Sequence, residues 1–160
     1  MEKCGEFQMF RGLNLIAVDA KGRIAIPARY REPIQSEADA ILVVTIDTEE
    51  RCLLIYTHPH WEQIEQKLES LPSYHPGSRR IQRLLIGHAT EVELDRSGRI
   101  LVPPVLREYA GLGSMAILVG QGKKFELWGK SQWETAREDW LAEQLLKEDD
   151  LPPELRSLSL

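Results

Sequence analysis

A chain of 160 residues, 42% hydrophobic and 28% charged, has the composition of an ordinary globular protein, and no apolar run reaches the roughly 18–20 residues of a membrane span. Two cysteines, Cys4 and Cys52, are too few for a disulfide framework, and neither stands in the Cys-x-x-Cys pairing that holds zinc or does redox chemistry. The net charge of −5 would argue against a polyanion partner only if charge were spread evenly, and it is not. Residues 8–31 hold five cations against Asp19, whereas residues 134–155 hold eight acids against Arg137 and Lys147.

In chain order, the first eight residues lack a basic flank followed by an apolar stretch, so no export signal is expected and the expected compartment is the cytoplasm. Residues 13–18 and 23–26 read as two short strands forming a hairpin about Asp19-Ala-Lys-Gly22. Asp at the first turn position accepts amide hydrogen bonds, and Gly at the fourth takes a positive φ. Pro27 ends the second run and opens a helical turn over residues 28–32. Residues 41–46 and 52–56 are short and rich in β-branched side chains, as strands are, with Cys52 a small buried residue among them. Residues 61–71 put Trp61, Ile64, Leu68 and Leu71 on one helical face, and Pro72 stops that helix. After a loop at 73–77, helical spacing returns over 79–86, with Gly87 as its end and Arg79, Arg80 and Arg83 as a solvated face. Val119-Gly-Gln-Gly122 lacks the Lys-Ser/Thr ending of a phosphate-binding loop and reads as a hairpin turn. Ser131 is expected to cap a last helix bearing Trp133, Trp140, Leu141 and Leu145, and the acidic, proline-bearing end beyond Lys147 reads as loosely ordered.

An internal repeat organises these elements. An offset of 76 residues sets Asp19-Ala-Lys-Gly-Arg-Ile-Ala-Ile-Pro27 on Asp95-Arg-Ser-Gly-Arg-Ile-Leu-Val-Pro103, then Arg31-Glu32 on Arg107-Glu108, then Ile41-Leu-Val43 on Ile117-Leu-Val119. The offset falls to 72 where Tyr56 meets Trp128 and Trp61-Glu62 meets Trp133-Glu134, so the second copy has a loop four residues shorter. The boundaries read as a first module at 13–60, connecting helices at 61–88, a second module at 89–132 and a C-terminal helix with an acidic tail at 133–160. The fold class expected is α+β, mainly β.

Met9-Phe-Arg-Gly12, Asp19-Ala-Lys-Gly-Arg23, Ile26-Pro-Ala-Arg-Tyr-Arg31, Arg83-Leu-Leu-Ile-Gly-His-Ala89 and Lys124-Phe-Glu-Leu-Trp128 together resemble the MraZ family, from Met9 to the end of the chain. That resemblance implies two tandem SpoVT-AbrB modules of swapped-hairpin, barrel-like architecture whose Asp-x-x-x-Arg motifs, here Asp19/Arg23 and Asp95/Arg99, mark DNA-contacting loops. It implies a ring of identical subunits on repeated promoter sites of a division and cell-wall gene cluster, and association with the nucleoid. Members of the family begin at the Met-Phe-Arg-Gly segment, so residues 1–8 read as an extension.

The expected DNA contacts are Lys21, Arg23, Arg29, Arg96 and Arg99, because guanidinium and ammonium groups recognise phosphates and guanine edges. Asp19, Gly22, Asp95 and Gly98 are expected to support them. The plainer reading of Arg23 and Arg99 is a pair with their own motif Asp across the turn, and of Lys21 a solvated turn lysine. The cation in the second loop, Arg96, is displaced by one position relative to Lys21, so the first loop is expected to dominate. His58 and His60 lack further ligands at metal-binding spacing and read as loop histidines. No cofactor, metal, membrane or small-molecule substrate is expected; the partners expected are double-stranded DNA and the chain itself. Two other functions remain: an enzyme in which Asp19 and Asp95 share a proton, and an AbrB-like antitoxin or interaction module gripping a protein through the acidic tail.

Overall fold

The computed structural model describes residues 9–143 and 151–159. The expectations for residues 1–8 (Cys4 included), for Leu145 and for the acidic run at 147–150 lie outside the described residues.

In chain order the elements are β1 (Phe10–Ala17), β2 (Arg23–Ala25), α1 (Ala28–Ala38), β3 (Ile41–Ile46), β4 (Leu53–Thr57), α2 (His58–Glu69), α3 (Pro76–Ile81), β5 (Thr90–Glu93), β6 (Arg99–Leu101), α4 (Pro104–Ala110), β7 (Met115–Gly122), β8 (Lys124–Gly129), α5 (Lys130–Ala142) and α6 (Pro153–Arg156). A π-helical turn, Gln82–Ile86, continues α3. The strands form a six-stranded antiparallel sheet in the order β1-β7-β8-β4-β3-β5 and a separate two-stranded ribbon, β2-β6. The α+β class follows from this directly, though more of the described residues lie in helices than in strands, so the expectation of a mainly β chain is corrected.

The repeat is exchanged rather than stacked. β1 of the first copy pairs along its whole length with β7 of the second, and β5 of the second pairs with β3 of the first. The hairpin expected about Asp19 is therefore corrected: only the bridge Val18↔Ile24 joins the two runs, and β2 takes β6 as its partner. Burial explains the exchange. Ile24 and Ile26 alternate with exposed residues and need an apolar surface on one side, which Ile100, Val102 and Leu106 of the other copy supply. A pseudo-twofold axis is visible in the register, since Ile24 faces Ile100, its own repeat equivalent, and Leu54 faces Glu126, equivalent at the offset of 72.

On one face of the sheet the ribbon, α1 and α4 close over the main core, where Phe125 stacks on Phe10 with ring centroids 4.2 Å apart and meets the edge of Tyr30 at 4.9 Å. On the other face, α2 and the π turn cover Val43, Leu54 and Tyr56, while α5 covers Cys52, Ile117 and Trp128. Cys52 is fully buried, as expected. No described helix is long and apolar enough to cross a membrane.

Several local expectations are corrected. α2 starts at His58, three residues before Trp61, because Pro59 fits the first helical turn, so His58 and His60 are helical rather than loop residues. Gly87 does not end the connecting helix: its φ is −62° and helical geometry continues through it. Ser131 lies inside α5, whose start is set by Gly129 with no side-chain cap. Gly122 makes the β7–β8 turn at φ +80°, but Gly120 is in the strand, where a Cβ would come within 2.5 Å of the Arg11 backbone.

Because each half lends strands to the other, a fragment of residues 9–84 is expected to fold only as a dimer, with unfolding midpoints that rise with protein concentration. Sedimentation with circular dichroism checks this; a folded monomer would contradict the exchange. Within the intact chain, Phe125→Ala should cost about 3–5 kcal/mol in urea unfolding, and a loss below about 1 kcal/mol would mean the aromatic cluster does not anchor the core.

Candidate nucleic-acid interface

Both Asp-x-x-Gly turns sit at the ends of the β2–β6 ribbon, so strand exchange brings the two copies of the motif onto one surface. In the first, Asp19 Oδ1 accepts from the amides of Lys21 (3.0 Å) and Arg23 (2.8 Å), and Oδ2 accepts from Arg23 Nε at 2.7 Å. In the second, Asp95 Oδ1 accepts from the amides of Ser97 (2.8 Å) and Arg99 (2.9 Å). Gly22 at φ +88° and Gly98 at φ +76° complete the turns in the left-handed region that side chains resist. Asp19, Gly22, Asp95 and Gly98 are thus the residues that shape the two turns.

The loops are braced from below by the opposite copy. Arg31 on α1 donates from Nε to its own Ile26 carbonyl at 2.7 Å and lays its guanidinium against Gly98. Arg107 on α4 does the same with Val102 (3.0 Å) and Gly22. A Cβ on either glycine would meet guanidinium atoms at 2.2–2.5 Å, so glycine is demanded by packing as well as by φ. The Ile26 amide donates to Gly98 O (2.8 Å) and the Val102 amide to Gly22 O (3.0 Å), which ties each strand end to the other copy's turn. Residue-by-residue reasoning missed Arg31 and Arg107 as site residues; their identity in the repeat was the available signal.

The ribbon register directs Arg23, Ala25, Arg99 and Leu101 outward and buries Ile24 and Ile100 between them. Arg23 and Arg99 both approach Asp19, since Arg99 Nη1 lies 4.0 Å from Asp19 Oδ2. The expected pairing of each Arg with its own motif Asp thus holds for Arg23, while Arg99 reaches across to the other copy's carboxylate. Lys21 and Arg96 are exposed at the two tips. Lys21, Arg23, Arg96 and Arg99, with the bracing Arg31 and Arg107, thus gather about the two turns in a chain whose net charge is −5. Arg29 is turned towards β1 instead: its Nη2 donates to Asn14 Oδ1 and, at 2.9 Å, to the Tyr30 hydroxyl, and its Cζ sits 4.6 Å from the Tyr30 ring centroid. Arg79, Arg80 and Arg83 lie exposed on α3 and the π turn.

Asp19 is held ionised down to about 2, below its ordinary 3.8, chiefly by the Arg23 amide; partial desolvation opposes this, and the Arg23 side chain and the Lys21 amide add to it. Asp19 and Asp95 stand in separate solvent-facing turns, each bonded by its own turn amides, rather than together in a buried cleft, so the geometry does not favour the acid-protease arrangement. Among the described residues, Asp47, Cys52 and Glu126 bring donor atoms suited to a cation within 4.8 Å of one another. There, burial and both acids raise the Cys52 thiol far above its usual range, and it donates to Asp47 at 3.7 Å. His58 bridges Glu62 and Glu91.

The fold and this surface define an intramolecular pseudo-dimer: two copies of a small α+β module, strand-exchanged, with both motif loops on one ribbon. The family described as "MraZ protein, putative antitoxin-like" matches residues 9–84 and again 85–150. Relatives named "Transcriptional regulator MraZ" are 92% identical in Coxiella burnetii (strain RSA 493 / Nine Mile phase I), 56% in Legionella pneumophila (strain Paris) and 53% in Halorhodospira halophila; each alignment spans 152 residues, 95% of this chain and all of the relative. The chain belongs to the MraZ family.

Since the Asp19 carboxylate is depressed in the folded state, its contribution to stability is complete above about 4 and is lost as pH falls towards 2. Asp19→Asn should therefore lower the melting temperature at pH 5–7, by a margin that shrinks between pH 4 and pH 2. A margin that stays constant across that window would show that ionisation of Asp19 does not stabilise the turn.

Proposed function

We propose that this chain is a cytoplasmic, nucleoid-associated transcriptional regulator that binds duplex DNA through the β2–β6 ribbon and its two tips. The carrying observation is that strand exchange gathers Lys21, Arg23, Arg96 and Arg99 on one rigid, solvent-facing ribbon in an otherwise acidic chain. The relatives' printed name supports this reading. A B-form major groove admits a two-stranded β-ribbon, and arginine makes bidentate hydrogen bonds to guanine O6 and N7 or to phosphate oxygens. Within the Arg23 guanidinium, Asp19 accepts from Nε and so aims the group while leaving its terminal nitrogens for DNA. Arg29, held by Asn14 and Tyr30, would contribute at the rim.

On this reading residues 13–60 and 89–132 are the working modules, joined by 61–88 and followed by 133–160. One chain offers few cations, so affinity comes from assembly: identical subunits arranged as a ring engage repeated promoter sites, and linkage raises the effective concentration of each further ribbon. Occupancy of such sites excludes polymerase, which makes repression of the division and cell-wall cluster the expected sign.

Titration of repeat-bearing promoter duplex over a salt series tests the site. Arg23→Ala and Arg99→Ala should each weaken binding at least tenfold and flatten the slope of log K against log salt by about one for each phosphate no longer neutralised. Unchanged affinity together with an unchanged slope in both variants would refute the ribbon as the DNA face.

A further inference from the structure

On the face of the sheet opposite the ribbon, α2 and the β7–β8 turn enclose a cavity of about 500 Å³ whose charged lining is of one sign. From α2 it takes His60, Gln63, Ile64 and Lys67, whose spacings of three and four put them on one side of the helix. From the turn it takes Gln121, Lys123 and Lys124. No carboxylate of the described residues lines it, and none of the three lysines forms a salt bridge with a described residue.

The cations stand on rigid elements. Lys124 faces Tyr56 across β8 and β4, Gln121 and Gly122 face Arg11 and Phe10 of β1, and α2 follows β4 without a loop, so turn and helix keep a fixed separation. Tyr56 and His60 form the floor, with ring centroids 5.8 Å apart and planes within 17°, and both are buried. The lysines converge on that floor: the His60 imidazole is held below its ordinary value by burial first and then by Lys123, Lys67 and Lys124. Ammonium groups gathered without a counter-charge repel one another, and a bound anion relieves that repulsion.

The pseudo-twofold axis supplies an internal comparison. At the offset of 72, Tyr56, His60 and Lys67 become Trp128, Gln132 and Asp139, while Gln121, Gly122 and Lys123 answer to Glu49, Glu50 and Arg51. These residues line the equivalent cavity, of about 430 Å³, beside α5. The same shape therefore forms with acids at the positions that carry lysine or neutral residues in the first copy. Packing does not dictate the lysines, which leaves their common sign to be explained by what the cavity holds.

We propose that the cavity between α2 and the β7–β8 turn binds a small oligophosphate anion, free or carried by a nucleotide. Lys67, Lys123 and Lys124 meet the phosphate charge, and the amides of Gln63 and Gln121 add directed hydrogen bonds. The volume falls within the roughly 300–1,000 Å³ of small-molecule sites, and Ile64 with the edge of Tyr56 offers an apolar wall to an organic portion, which favours the nucleotide. A duplex lying on the ribbon is against the other face of the sheet, so this site is separate from the proposed DNA surface and does not rest on it.

Calorimetric titration of the full-length protein with ATP and with inorganic tripolyphosphate tests this at low ionic strength, where charge contacts are least screened. ATP is expected to bind, and the double variant Lys67→Gln, Lys123→Gln to weaken it by about tenfold or more. Both lysines are exposed, so circular dichroism is expected to show the variant folded. Arg51→Gln, which removes the cation of the equivalent cavity, is expected to leave ATP affinity unchanged. In NMR spectra the His60 imidazole resonances should move on addition of ATP to the wild type and stay in place in the double variant. Tighter binding of ATP than of tripolyphosphate identifies a nucleotide site, and equal affinity identifies the oligophosphate as the whole of what the cavity recognises. No binding of either anion, or binding undiminished in the double variant, would overturn the proposal and leave the DNA reading of the ribbon intact. Loss of ATP binding in Arg23→Ala would put the anion on the ribbon instead, and a loss of duplex affinity in the double variant as large as in Arg23→Ala would make the lysines part of the DNA face; either result also overturns it.

Discussion

The two turns that carry the motif depend on an interaction neither could make alone: the guanidinium of one copy packed against the glycine of the other. Arg107 rests against Gly22 and Arg31 against Gly98, with Nε of each held by a carbonyl of its own copy. The packing leaves no room for a side chain on the glycines, and the reciprocal bonds from the Ile26 and Val102 amides fasten each strand end to the opposite turn. An arginine at such a site acts through its planar shape and fixed donors, which a lysine would not reproduce. Loop, strand and helix start are thereby fixed together, and the exposed arginines emerge from a braced base.

Duplication within one chain also relaxes a symmetry that a true dimer must keep. At the axis the halves remain alike, with Ile24 against Ile100 and both buried. Away from it they diverge. Asp19 takes Arg23 and also draws Arg99 to 4.0 Å, whereas Asp95 is bonded by its own turn amides. Lys21 in one tip is answered by Arg96 one position earlier in the other. On the outer face of the sheet they separate further: His58 joins Glu62 and Glu91 in the first copy, and the equivalent positions in the second are Lys130, Glu134 and Leu15. Between the copies, the residues that set the exchange and the outward arginines of the motif are alike, whereas other outward positions differ.

Much of this architecture is legible in the sequence because the signal is carried twice. The repeat marked both turns, the glycines with positive φ, the helix openings after Pro27 and Pro103 and the strands at 41–46, each from local chemistry. Strand partners were not legible. Residues 13–18 and 23–26 look like the arms of a hairpin, and only the demand of Ile24 and Ile26 for an apolar surface supplied by Ile100, Val102 and Leu106 redirects β2 across the axis. Helix ends were misjudged where context outweighs propensity, as at Gly87, which continues the helix because the π turn keeps it in helical geometry. The cationic tips were legible as residues, but Arg31 and Arg107 were not, since a brace belongs to two distant segments at once. Arg29 shows the converse: it stands among cations in the sequence and is taken by Asn14 and Tyr30 in the fold.

Strand exchange also changes what the motif can do. Two separate hairpins would present two weak cationic tips with independent orientations, and each would give up conformational freedom on meeting DNA. Here the tips share a ribbon whose inner side is the centre of the core, so moving one arginine relative to the other means disturbing Ile24 and Ile100. Arg23 and Arg99 also share one carboxylate, so the orientation of each depends on the other's occupancy of Asp19. Neighbours that share a partner couple energetically. The two repeats therefore form a single pre-arranged contact surface, whose spacing is set by the packing of the core rather than by the length of a linker.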